Sequence, residues 1–193
     1  LIPLVLEGVK VVICNTNKQR GLVDSEYNKR RSECEKGVEL LEEYLPGIQA
    51  LRDVDIEDFE KYGLHLPKIT EKRCGYVIKE DERVLESVEA LKENDLIKFG
   101  LLMNESHKGL RDEYEVSCPE LDAMVELAWD TEGVIGSRMT GAGFGGCTVS
   151  LVVDNFIDKL IEKVRKKYPE RTGLEPDIYV SKAEDGAGSE DIV

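Results

Sequence analysis

The chain has 193 residues, 40 of them acidic and 26 basic, for a formal net charge of −14, and 41% are hydrophobic. That length can bury the core of one ordinary domain without disulfide or metal support. The acid excess repels phosphate backbones and anionic lipid, which argues against nucleic acid and membrane surfaces as partners.

In chain order, residues 9–15 (Val-Lys-Val-Val-Ile-Cys-Asn) form a β-branched apolar run that ends in turn formers, and they predict a buried strand. From 25 to 45, apolar or small residues recur at helical spacing (Tyr27, Cys34, Val38, Leu41, Leu45). Asp24 or Ser25 can cap that helix, and Pro46-Gly47 stops it. The stretch 48–79 is mixed and broken by Pro67, which predicts one or two short helices and a crossover. Helices follow at 80–91, 96–110 and 118–129, the last opened by Ser117-Cys118-Pro119-Glu120, read as a capping box with proline just inside. After Gly133 the pattern turns to strand at 134–139 and 147–153, a hairpin around a glycine loop. An amphipathic helix at 155–168, a short strand at 177–180 and a polar tail at 184–193 complete the chain. The order predicts one domain over 1–193, an α+β layer structure with a mostly antiparallel sheet covered by helices.

Five cysteines, Cys14, Cys34, Cys74, Cys118 and Cys147, form no C-x-x-C pair and read as reduced thiols in a cytoplasmic protein. No apolar run approaches the roughly 20 residues of a membrane span. The start lacks a signal-peptide pattern, and Leu1 in place of Met suggests a processed or truncated beginning.

The glycine loop satisfies G-x-G-x-x-G at Gly141, Gly143 and Gly146, yet strand follows it where a dinucleotide site needs a helix. No Gly-Lys-Ser/Thr follows either, so the Walker reading fails. Four glycines in six residues can take positive φ and turn several amides toward one oxyanion. Composition alone leaves two readings open, a hairpin that needs glycine only for its geometry and a loop that meets a ligand. His107, inside a predicted helix with no Ser, Cys or carboxylate constellation around it, reads as a hydrogen-bonding structural histidine. His65 reads the same way. Arg30 and Arg31 read as ion-pairing structural residues.

Three segments together resemble the galactokinase branch of the GHMP sugar and metabolite kinases. They are Ser25-Glu26-Tyr27-Asn28-Lys29-Arg30-Arg31, the middle run from Leu102-Met103-Asn104-Glu105-Ser106-His107 to Tyr114-Glu115-Val116-Ser117-Cys118-Pro119-Glu120-Leu121-Asp122, and Met139-Thr140-Gly141-Ala142-Gly143-Phe144-Gly145-Gly146-Cys147. The resemblance spreads over about 9–153, and Tyr76 departs from it where many relatives carry histidine. It implies a ferredoxin-like C-terminal domain and transfer of the γ-phosphoryl of Mg·ATP to the C1 hydroxyl of galactose. It implies that Tyr27 touches the sugar, its ring on the apolar pyranose face and its phenol on ring hydroxyls. It implies that Gly141, Ala142, Gly143, Gly145 and Gly146 line the active site beside the nucleotide phosphates. No segment resembles the family's phosphate loop or its catalytic aspartate. The resemblance therefore assigns no catalytic base and no metal ligand here, leaves ATP and Mg²⁺ mainly to an absent N-terminal half, and implies that the chain alone is inactive. A kinase of N-acetylgalactosamine and a non-catalytic galactose sensor on the same scaffold are the alternatives.

Overall fold

A computed structural model describes residues 4–19 and 23–183. Four strands, β1 (Val9–Asn15), β2 (Val134–Met139), β3 (Cys147–Val153) and β4 (Asp177–Ser181), form one sheet in the order β2-β3-β1-β4, with every neighbouring pair antiparallel. Between β1 and β2 lie α1 (Val23–Leu41), α2 (Ile56–Tyr62), α3 (Lys68–Lys92), α4 (Leu96–Asp112) and α5 (Pro119–Trp129), while α6 (Ile157–Thr172) joins β3 to β4. This is the α+β, ferredoxin-like order expected, with five helices in the first crossover. Among the described residues no helix is long and apolar enough to cross a membrane.

Strand alternation decides what each sheet face covers. Val12, Cys14 and Val152 turn toward Met124, Leu127 and Ala128 of α5 and Leu160, Val164 and Tyr168 of α6, forming the main core. A second core, with Leu41, Cys74 and Ile78, joins α1 to α3. A third, with Tyr76, Leu110, Val116, Leu121 and Met139, lies where α3, α4, α5 and β2 meet.

The outer edge of β2 is sealed by α4. The two backbones touch: a Cβ on Gly100 would lie 2.4 Å from the Ile135 carbonyl oxygen, and one on Gly136 would lie 2.4 Å from that of Gly100. An edge strand leaves alternate N–H groups without a strand partner. Here Ser137 N donates to Asn104 Oδ1 (2.8 Å) and Met139 N donates to His107 Nδ1 (3.2 Å), so two α4 residues three apart serve two strand residues two apart.

Several boundaries differ from expectation. The stretch 48–79 holds two 3₁₀ turns and α2, but its last part is helix, because α3 begins at Lys68 directly after Pro67 and runs 25 residues. Its buried face includes Thr70 and Arg73, polar residues that hide the apolar period, and Pro67 opens this helix instead of breaking it. Helix α1 starts at Val23, so Asp24 and Ser25 lie within its first turn, and it closes at Leu41, with Leu45 N turning back to Leu41 O (2.9 Å). Cys118 is the N-cap of α5 without a side-chain cap; Ser117 sits one residue too early, and its hydroxyl donates to Asp122 Oδ1 (2.5 Å). Helix α6 continues through Pro169 to Thr172, where Gly173 ends it in the left-handed region. The polar tail expected at 184–193 lies outside the described residues.

Candidate functional site

The β2–β3 hairpin carries a wide loop whose mouth is closed by Thr140 N donating to Cys147 O (2.9 Å). On one side the loop is fastened to the end of β1, where the backbone N and side-chain Oγ1 of buried Thr16 both donate to Gly146 O (2.9 and 2.7 Å). On the other side Phe144 N donates to Val116 O (2.8 Å). Gly141, Gly143, Phe144, Gly145 and Gly146 all have positive φ. The demand is sharpest at Gly143, with φ +88° and the Val116 carbonyl oxygen 2.0 Å from where a Cβ would stand. Among the described residues, the amides of Gly141, Ala142, Gly145 and Gly146 donate to no carbonyl and no side chain, while Gly141-Ala142 form a tight turn closed at Gly143. Gly141 and Ala142 face solvent. Gly143 and Gly145 are buried and Gly146 is half-buried, so the part of this left-handed stretch that stands open is Gly141-Ala142.

The support for Val116 is a turn held by two buried arginines. Arg30 of α1 donates from Nε to Tyr114 O (2.6 Å) and from Nη2 to Glu115 O (2.9 Å). Arg73 of α3 donates from Nη1 to Glu113 O and from Nη2 to Glu115 Oε2 (2.6 Å). Three successive carbonyls are thus held by two guanidiniums, whose rigid forks suit such convergent geometry. Glu33 lies between the arginines, 3.6 Å from Arg30 and 3.2 Å from Arg73. The hydrogen bonds from Arg73 and Lys72 hold the Glu115 carboxyl well down, at about 2. Glu115 itself sits at φ +54°, so the clamp maintains a backbone conformation that a non-glycine residue seldom adopts.

Tyr27 projects from α1 with 53% of its surface exposed, one helical turn before Arg30. Arg30, on the same helix, reaches the Tyr114 and Glu115 carbonyls in the turn that leads to Val116. Arg31 pairs with Glu35 on the surface (2.8 Å).

The middle run proves to be bracing. His107 is 1% exposed, and because its Nδ1 accepts from Met139, the neutral ring carries its proton on Nε2, 3.3 Å from Asp122 Oδ1. Its ring meets Trp129 edge-on at 5.5 Å. Asn104 Oδ1 also accepts from Trp129 Nε1 (2.5 Å). His65 stacks on Tyr44 at 4.7 Å. Sequence reasoning missed the paired arginine clamp, since Arg73 carries no local signal, and missed Asn104 as the acceptor for the β2 edge. No cluster of three or more His, Cys, Asp or Glu suited to a metal ion exists among the described residues.

Residues 87–170 match the family model for the GHMP kinase C-terminal region. The chain is 47% identical over 188 residues to a galactokinase of Fusobacterium nucleatum, covering 97% of this chain and 48% of the relative. It is 50% identical over 184 residues to one of Clostridium beijerinckii, covering 95% and 47%. Among solved structures, Lactococcus lactis galactokinase complexed with galactose superposes with a TM-score of 0.88 at 36% identity, over 93% of this chain and 46% of that one. A mevalonate kinase of L. major, with a TM-score of 0.57 at 20% identity, shares the fold. The chain therefore has the GHMP kinase C-terminal fold and is similar to the C-terminal part of galactokinases, and it spans about half the length of the curated relatives it matches.

Proposed function

We propose that this chain is the C-terminal domain of an ATP-dependent galactokinase and forms one side of a composite site for galactose and ATP. The observation that carries the reading is the loop 141–146, whose exposed Gly141 and Ala142 amides donate to no described group and whose backbone is fixed by Val116 and Thr16. Those N–H groups can meet phosphate oxygens of ATP as charge shifts during transfer, the positioning and electrostatic work on which phosphoryl transfer depends. Tyr27 offers the exposed aromatic face and phenol suited to the apolar face and hydroxyls of a pyranose. The product would be galactose 1-phosphate, with the catalytic aspartate, the phosphate loop and any Mg²⁺ ligands in the half of the relatives that this chain does not match.

Five free thiols suit a reducing, cytoplasmic setting. The charge of −14 gives no basis for a nucleic acid or membrane partner. The test is an assay of a chain extended to the relatives' length, with galactose, N-acetylgalactosamine and ATP, measuring sugar phosphate. Formation of galactose 1-phosphate in preference to the acetamido sugar supports the reading. A folded extended protein that makes neither overturns it in favour of a sensor.

A further inference from the structure

Helices α1 and α3 approach closely at Gly37, where a Cβ would lie 2.1 Å from Cys74 Sγ, so the Cys74 sulfur sits directly on the α1 backbone. Cys34 lies three residues earlier on the same face of α1 and packs into the α1–α3 core that holds Cys74. Its Sγ also lies 3.9 Å from the Tyr114 hydroxyl. Cys34 is half-buried and Cys74 fully buried, so one thiol of the pair is open to a small reagent and the other waits beside it.

From this juxtaposition we propose that Cys34 and Cys74 form a reversible oxidation site, closing to a disulfide that staples α1 to α3 when the protein meets a peroxide. The Cys34 thiolate attacks one oxygen of hydrogen peroxide, forming an S–O bond and breaking O–O, and hydroxide leaves; protonation gives Cys34 sulfenic acid and water. The Cys74 sulfur, losing its proton, then attacks the Cys34 sulfur; the S–S bond forms, S–O breaks, and a second water departs. Two thiols lose two electrons and one peroxide gains them.

The order of events follows the surroundings. The hydrogen bond from the Cys74 thiol, helped by that of Tyr114, lowers the pKa of Cys34, whereas the Cys34 contact and burial raise that of Cys74. No equivalent pair exists between Cys14 and Cys147: Cys147 is in register with Asn15, so strand alternation puts it on the face opposite Cys14. Burial pushes the Cys14 thiol up to about 12. Closure would act on the wall next to Tyr114, whose carbonyl Arg30 holds beside the glycine loop's support.

The test treats the folded protein with a small molar excess of hydrogen peroxide, alkylates the remaining thiols and maps the peptides by mass. The expected result is a Cys34–Cys74 cross-link, with loss of two hydrogens, before Cys14, Cys118 or Cys147 loses its reactivity; it reverses with dithiothreitol and gives way to mixed pairings in urea. Cys74→Ala should stop at Cys34 sulfenic acid, trapped by dimedone. The proposal is overturned if Cys34 and Cys74 stay reduced while the other thiols react, or if Cys34 goes to sulfinic acid with no cross-link in the wild-type chain.

Discussion

The carbonyl oxygen of Val116 fills the space that a side chain on Gly143 would occupy, 2.0 Å from the position of its Cβ, and the same oxygen accepts a hydrogen bond from Phe144. The connection between α4 and α5 thus sets the shape of a loop nearly thirty residues further along the chain.

Gly143→Ala meets both a positive φ and a backbone clash. It should destabilise the fold by on the order of 1–3 kcal/mol, or free the loop from Val116 where the backbone yields. Urea unfolding and amide exchange at Phe144 separate these outcomes; unchanged stability with a protected Phe144 amide would contradict the geometry described.

Removing the clamp should be felt at a distance. Arg30→Ala leaves the carbonyls of Tyr114 and Glu115 without their donor, at a cost of about 2 kcal/mol, and Arg30→Lys should recover little because one ammonium cannot reproduce the forked contact. Equilibrium unfolding of both variants provides the check.

The acid side of the stability profile should carry the signature of Glu115. Its folded pKa is depressed from 4.5 to about 2, so its contribution is present above pH 4.5 and is lost as pH falls toward 2. Unfolding midpoints measured between pH 5 and pH 2 should fall less steeply in Glu115→Gln than in the native sequence.

Trp129 is the one tryptophan in the chain, which makes the α4–β2 seam directly visible. Asn104→Ala removes the acceptor for Ser137 N and one of the two acceptors of the indole N–H, which keeps Ser137 O at 3.1 Å, and should cost about 1–2 kcal/mol together with a change in tryptophan emission. An unshifted spectrum would show that the indole does not depend on Asn104.

The strands were legible because their alternation and β-branched runs are local, and β1, β2 and β3 lie where the pattern puts them. The loop could be marked by its glycines, and the strand after it excluded a dinucleotide site. Helix α3 was half hidden because Thr70 and Arg73 are buried polar residues on its core face, so apolar counting fails there. The clamp was invisible for a related reason: Arg30 and Arg73 lie on different helices and converge on carbonyls, groups that every residue carries. His107 reads in sequence as a hydrogen-bonding structural residue and is one, while the service that it and Asn104 give to the free edge of β2 is a tertiary fact without a local signal.

A chain that forms one side of a shared site should not bind sugar by itself, and calorimetric titration with galactose, with and without Mg·ATP, reads this out. The chain is titrated beside one extended to the relatives' length. Heat of binding is expected in the extended protein alone, lost or weakened there by Tyr27→Ala. Galactose binding by the short chain at similar affinity, or a folded extended protein that binds neither ligand, would contradict it.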